Sequence, residues 1–278
     1  MILETPISIP IEETAKFPPP GMSTPVMFAF SPDDSLLTYL YGEDQSPIRR
    51  LYALDTETGE SRVVQASVEP ESLELSLEEQ LLRQRQRQLG QGIVRYSWAG
   101  DRDLILIPAQ SGIYVKEGVG AQARLVVSHE DGPALNPTLS PDGTMIAFVR
   151  DAEIYVVPVE GGSPRQITSG ARGTGKTHGI AEYIAQEEMH RLTGMWWSRD
   201  SQHIAFEEAD ETHIPVYRIM HQGKDETGPS AQEDHGYPFA GMENARVRLG
   251  VVPVEGGNPI WMDLGDNPDI YLARVNWL

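Results

Sequence analysis

Cysteine is missing from all 278 positions. Its absence rules out a disulfide framework, a thiolate nucleophile and any zinc site built on thiolates. Bases are also scarce: 22 Lys and Arg stand against 41 Asp and Glu, a formal net charge of −19. With no basic stripe to offset that excess, the chain is not expected to bind nucleic acid; a cationic ligand or simple solubility fits better. No run of about 18 apolar residues occurs, so no membrane span is expected. The first ten residues, from Met1 to Pro10, lack a basic start and a continuous apolar stretch. No signal peptide is therefore expected, and the location is cytoplasmic unless a trimmed leader once directed the protein to the periplasm or out of the cell.

Several catalytic signatures are missing as well. No Gly-x-Ser-x-Gly elbow and no His-x-x-x-His pair is present, so neither a hydrolytic nucleophile nor a metal centre is expected within the chain. No catalytic residue, metal or cofactor is assigned. One match is misleading. Gly170-Ala171-Arg172-Gly173-Thr174-Gly175-Lys176-Thr177 fits the phosphate-loop pattern letter for letter. That chemistry needs a buried apolar strand before the loop and a helix after it, inside a parallel sheet. Here the lead-in, Pro164 to Ser169, is polar and no βαβ rhythm surrounds it, so the stretch reads as a Gly-rich connector.

What the chain does have is a repeat. Phe28 to Tyr39 reads as a strand, a tight turn at Ser31-Pro32-Asp33-Asp34, and a second strand, with Pro and Asp where a type I turn favours them. The form returns at Tyr96–Leu106, at Pro137–Phe148 and at Met195–Phe206, and begins again at Leu272–Trp277. A third strand and a short edge strand follow each full copy. Ile154-Tyr155-Val156-Val157-Pro158-Val159-Glu160-Gly161-Gly162 and Leu249-Gly250-Val251-Val252-Pro253-Val254-Glu255-Gly256-Gly257 are near copies of one another. Four short antiparallel strands per repeat make a propeller blade. The anchors Phe30, Trp98, Leu139, Trp197 and Trp277 lie 68, 41, 58 and 80 residues apart (98−30, 139−98, 197−139, 277−197). A bare blade takes about 40 to 45 residues, so the longer gaps carry insertions.

The expected fold is all-β: a β-propeller fragment of about four four-stranded blades with two short helical insertions. An extended Pro-rich lead-in occupies 1–25 and the partial propeller 26–278. Blades are placed at 26–66, 93–128, 136–168 and 194–263, with a fifth starting at 270–278. A polar excursion covers 210–244. The insertion at 73–89 is rich in Glu, Gln, Arg and Leu, with acids first and bases last, which suits a helix dipole. It is either a solvated surface helix or a helix from which Arg83, Arg85 or Arg87 reaches a ligand.

The insertion at 179–191, Gly179-Ile180-Ala181-Glu182-Tyr183-Ile184-Ala185-Gln186-Glu187-Glu188-Met189-His190-Arg191, has helical spacing and two adjacent acids. Adjacent carboxylates usually mean a solvated face, and they repel one another unless something cationic sits between them. An ammonium, with three donors, is the natural partner.

This segment, running on to Trp196-Trp197-Ser198 and Ile204-Ala205-Phe206, resembles the amino-terminal propeller of the dipeptidyl peptidase IV family. The likeness extends to the Arg-rich helix before Gly92-Ile93-Val94-Arg95-Tyr96-Ser97 and to Pro215-Val216-Tyr217. The resemblance implies a serine-type exopeptidase (a hydrolase) that releases Xaa-Pro or Xaa-Ala dipeptides, with the propeller covering an α/β-hydrolase domain. It implies that Glu187 and Glu188 hold the substrate α-ammonium and that one of Arg83, Arg85 and Arg87 orients the peptide. The hydrolase domain is absent from these 278 residues, so the triad is expected beyond Leu278 and the chain alone is expected to be inactive. Expected partners are peptides with a free amino terminus, that hydrolase domain and, because open strand edges are sticky, further copies of the chain. The alternative is a stand-alone propeller-like module that binds a basic peptide without catalysis.

Overall fold

The computed structural model describes residues 10–15, 24–68, 91–100, 102–220 and 231–278. They fall into two units, Met1–Leu125 and Val126–Leu278. In the first, strands β1 (Val26–Phe30), β2 (Leu36–Tyr41), β3 (Ile48–Asp55) and β4 (Ser61–Gln65) neighbour one another in chain order, all antiparallel. β5 (Gln91–Gly92) joins the start of β3 in parallel. A second sheet follows: β6 (Ser97–Trp98), β7 (Leu104–Pro108), β8 (Gly112–Glu117) and β9 (Arg124–Ser128) at the junction of the units. Leu104 to Ile107 are buried without a break, as expected of a strand covered on both faces. Leu40, Leu51, Ile93, Tyr96, Ile105 and Ile107 form the core of this unit. Trp98 Nε1 donates to Thr38 Oγ1 at 2.9 Å, and that hydroxyl donates on to Ala29 O at 2.8 Å.

The second unit repeats the plan. β10 (Leu135–Leu139), β11 (Met145–Arg150), β12 (Glu153–Pro158) and β13 (Arg165–Gln166) form one meander. The next sheet is built around β16 (His203–Asp210) and β19 (Arg246–Pro253), which pair over eight residues. β14 (Lys176–His178) and β15 (Met195–Trp197) share the other side of β16, and β20 (Ile260–Trp261) closes the far edge. Ala147, Val149, Ile154, Val156, Ile204, Phe206 and Val252 are central to its core. The fold is therefore all-β, a portion of a β-propeller.

The repeated turn has a simple cause. Ser31 Oγ donates to Asp33 at 2.6 Å and accepts the Leu36 amide at 3.0 Å, while Asp33 also takes the Ser35 amide. Ser140 and Asp142 do the same for Met145 and Thr144. Ser198 and Asp200 do it for His203 and Gln202. Three turns thus share one hydrogen-bond scheme, in which a hydroxyl and a carboxylate satisfy the amides that the reversal leaves free. The hydrogen bonds from Ser31 and then Ser35 hold the Asp33 carboxyl down at about 2.

Three segments differ from the expectation. The insertion at 179–191 is helical only over Tyr183–Glu188, because Ile180 instead bridges to Thr193 and Glu182 caps the helix. The excursion holds an antiparallel hairpin, β17 (Val216–Met220) with β18 (Gln232–Gly236), whose Val216, Tyr217, Ile219 and Met220 are exposed. Residues 270–278 carry no strand; Trp277 Nε1 there donates to Trp196 O at 3.1 Å. The insertion at 73–89, with Arg83, Arg85 and Arg87, lies outside the described residues.

Candidate substrate amine site

The insertion leaves the sheet at one residue. β14 pairs with β16 up to His178↔Glu208, and β15 resumes at Met195↔Phe206. Glu207, between them, faces the gap. Its carbonyl accepts the Gly179 amide at 2.9 Å and its own amide donates to Gly194 O at 2.7 Å. The two glycines form a narrow neck, closed by Gly194 N donating to Gly179 O at 3.0 Å. Gly179 has φ +80°, and a Cβ at Gly194 would lie 2.9 to 3.0 Å from the Gly179 and Ile180 backbone. Gly194→Ala must therefore spread the neck. A loss of about 1 to 3 kcal/mol is expected, read as a lower thermal midpoint.

Beyond the neck, the Glu182 carboxylate accepts the Ala185 amide at 3.0 Å and starts the helix. Ala185 and Gln186 are buried, and the Gln186 side-chain amide donates back to Ala181 O. Successive residues turn by about 100° on a helix, so Glu187 and Glu188 swing outward; Glu187 is partly exposed and Glu188 exposed. Neither carboxylate makes a hydrogen bond or ion pair among the described residues. Both also sit at the helix C-terminus, the electronegative end of its dipole, where a negative charge is disfavoured. The site therefore presents two acids without a partner among the described residues at the electronegative end of a helix. Tyr183 stacks edge-on against Tyr237 (5.2 Å), which meets Phe239 (5.1 Å), giving the helix an aromatic flank.

Both ends of the insertion are tied down by acids on β16 that point to opposite faces. Glu207, fully buried, approaches Arg191 Nη2 to 2.6 Å. Arg191 Nη2 and Glu207 Oε2 do not meet at hydrogen-bonding angles, so their attraction is Coulombic. Burial pushes the Glu207 carboxyl up to about 7 against the pull of Arg191. On the other face, His178 sits between two carboxylates, with Nδ1 2.9 Å from Glu153 and Nε2 3.0 Å from Glu208. Burial alone would depress His178, but the bonds to Glu153 and Glu208 outweigh it and raise its pKa. Glu153 is likewise opposed by burial, yet His178, Thr168 and two amides hold it at about 2.

Those amides settle the phosphate-loop match. Ala171 N and Arg172 N, inside the Gly-rich stretch, donate to Glu153 Oε1 at 2.7 and 3.1 Å. The anion this loop cradles is the protein's own carboxylate. Lys176 is turned to Glu208 and Asp210, at 3.4 and 3.5 Å.

Sequence reasoning named Glu187 and Glu188, which the structure places at the end of the helix, but did not name Glu153, His178, Arg191, Glu207 or Glu208 as parts of its support. A signal was present: Glu207 and Glu208 interrupt an otherwise apolar strand, Ile204 to Ala209. Buried acids there need buried partners.

Small antiparallel sheets in series, interrupted by an anchored helix that carries two adjacent acids, define a propeller portion. Residues 93–278 match the family described as the Dipeptidyl peptidase IV (DPP IV) N-terminal region, and the chain belongs to that family. Human dipeptidyl peptidase 8 is 28% identical over 244 residues, covering 73% of this chain and 26% of the relative. A probable dipeptidyl-aminopeptidase B of Pyrenophora teres f. teres is 28% identical over 149 residues, covering 50% of this chain and 16% of the relative. The chain thus spans about a quarter or less of these curated relatives. The crystal structure of Porphyromonas gingivalis dipeptidyl peptidase 4 shares the fold, with a TM-score of 0.67 at 21% identity over 96% of this chain and 36% of that one.

Proposed function

We propose that this chain is the portion of a serine-type dipeptidyl peptidase that gates access and recognises the substrate's amino terminus. The bond-breaking residues then belong to a separate α/β-hydrolase domain, and the dipeptides released are of the Xaa-Pro and Xaa-Ala kind. One observation carries this reading: Glu187 and Glu188 are unpaired carboxylates on a helix whose two ends are fixed to β16. A free α-ammonium can donate to both carboxylates, whereas an acylated terminus cannot. Recognition of that charge would set the distance from the peptide end at which cleavage falls. Membership of a family with relatives named dipeptidyl peptidase supports the assignment to peptidases.

The test compares Ala-Pro amide with Nα-acetyl-Ala-Pro amide by calorimetry on the intact chain. The expected result is binding of the free amine, with binding of the acetylated form weaker by about tenfold or more. Equal affinities would overturn the reading. The net charge of −19 supports a second one, a stand-alone module for basic peptides. That reading predicts that an acetylated Lys-rich peptide binds as well as a free one. On the first reading the chain alone leaves a Gly-Pro anilide uncut. Self-association through open strand edges belongs to the same proposal and is measured by sedimentation.

A further inference from the structure

We propose that the buried Arg191–Glu207 pair is a positioning device: Glu207 pins both ends of the Glu187–Glu188 helix and thereby aims its two free carboxylates. This rests on the amine-receptor reading and adds residues to it that do not touch substrate.

The geometry is specific. The Glu207 carboxylate accepts the amide of Glu182, the residue that starts the helix, at 3.3 Å. The same carboxylate meets Arg191, three residues past Glu188, at 2.6 Å. One side chain therefore touches the residue before the helix and a residue just after it. Arg191 is in turn held on other sides. Its Nη1 donates to Thr193 O at 3.1 Å, its amide donates to Ala185 O at 3.0 Å, and its guanidinium lies 5.7 Å from the Trp196 ring centre. The six-residue helix stands on a two-glycine neck; it buries Ala185 and Gln186 and leans Tyr183 against Tyr237, while the Glu207 carboxylate reaches the residues flanking both of its ends.

Stability does not account for the choice of residues. Replacing a buried ion pair with a well-packed apolar pair is often neutral or stabilising, whereas removing one partner is strongly destabilising. An apolar pair could fill the same space, but it could neither accept the Glu182 amide nor donate to Thr193 O, the directional bonds through which Glu207 and Arg191 hold the two ends. The other acid cluster, Glu153–His178–Glu208, grips β14 before the neck and so acts on the insertion's root rather than on its orientation.

The experiment is a double-mutant cycle on the intact chain: Glu207→Leu, Arg191→Met, and the two combined. Two quantities are read: the thermal midpoint, and the ratio of affinities for Ala-Pro amide and Nα-acetyl-Ala-Pro amide. Both single variants are expected to lower midpoint and ratio together. The double variant is expected to regain the midpoint while its ratio stays about tenfold below that of the parent chain, the scale of a misplaced binding group. A ratio that recovers along with the midpoint overturns the proposal, since the pair would then be structural only. If the double variant does not fold, Glu207→Asp takes its place; it keeps the charge and shortens the reach, and an unchanged ratio there overturns the proposal equally. Glu187→Gln and Glu188→Gln serve as the control. If they too leave the ratio unchanged, the amine-receptor reading has failed and the positioning role falls with it. If they reduce the ratio while the cycle variants do not, only the positioning role has failed.

Discussion

Glu187→Gln and Glu188→Gln are each expected to weaken binding of a free-amine peptide roughly ten- to over a hundredfold while leaving the acetylated peptide unaffected. Each change removes one charge-assisted hydrogen bond, worth about 1.5 to 3 kcal/mol, and about 1.4 kcal/mol is a factor of ten. The stability effect should have the opposite sign. Neither carboxylate has an internal partner to lose, both lie at the disfavoured end of a helix, and they repel one another. Neutralising either should therefore leave the thermal midpoint level or slightly raised. Weaker amine binding at unchanged or higher stability identifies a binding group. Weaker binding that tracked a falling midpoint would instead mean that the acids hold the fold together.

The second large effect concerns Glu153 and His178. Glu153→Gln or His178→Ala leaves a buried charge uncompensated, and breaking such a network costs about 3 to 5 kcal/mol, roughly 10 °C for a chain of this size. The groups facing His178 are Glu153 and Glu208, with Lys176 and Arg248 on the far oxygen of Glu208 and the Phe206 ring edge-on at 5.1 Å. The pH dependence follows from the signs. The pKa of His178 is raised on folding, so its contribution is fully present below the unfolded value, about 6.5, and is lost as pH climbs through the folded one. Glu153 is depressed to about 2, so its contribution is present above its ordinary value of 4.5 and is lost as pH falls towards 2. The gap in midpoint between parent and His178→Ala should accordingly be widest between pH 4.5 and 6.5 and narrow on either side. A gap independent of pH would show that the imidazole is buried uncharged.

The repeats were legible because Ser31, Ser140 and Ser198, each two residues before an Asp, shape their turns with the same local hydrogen bonds. The Glu187–Glu188 pair was legible because it lies on consecutive residues. The helix was read too long because periodicity at Ile180 and Ala181 cannot reveal that Ile180 pairs with Thr193 across the neck. The Glu153–His178–Glu208 network was not legible because its members lie 25 and 30 residues apart in sequence and meet only through sheet register. Its one local trace was a pair of acids inside an apolar strand. The hairpin at β17 and β18 was hidden by the polar composition around it. Register also explains the false phosphate loop, whose free amides look available until β12 delivers Glu153 to them.

The most direct measurement is a crystal structure of the chain with Ala-Pro amide bound. The account predicts the ammonium nitrogen within about 2.7 to 2.9 Å of a carboxylate oxygen of both Glu187 and Glu188, with Arg191 and Glu207 unmoved beneath them. A peptide bound with its amine away from the pair, or to only one of the two acids, would contradict it.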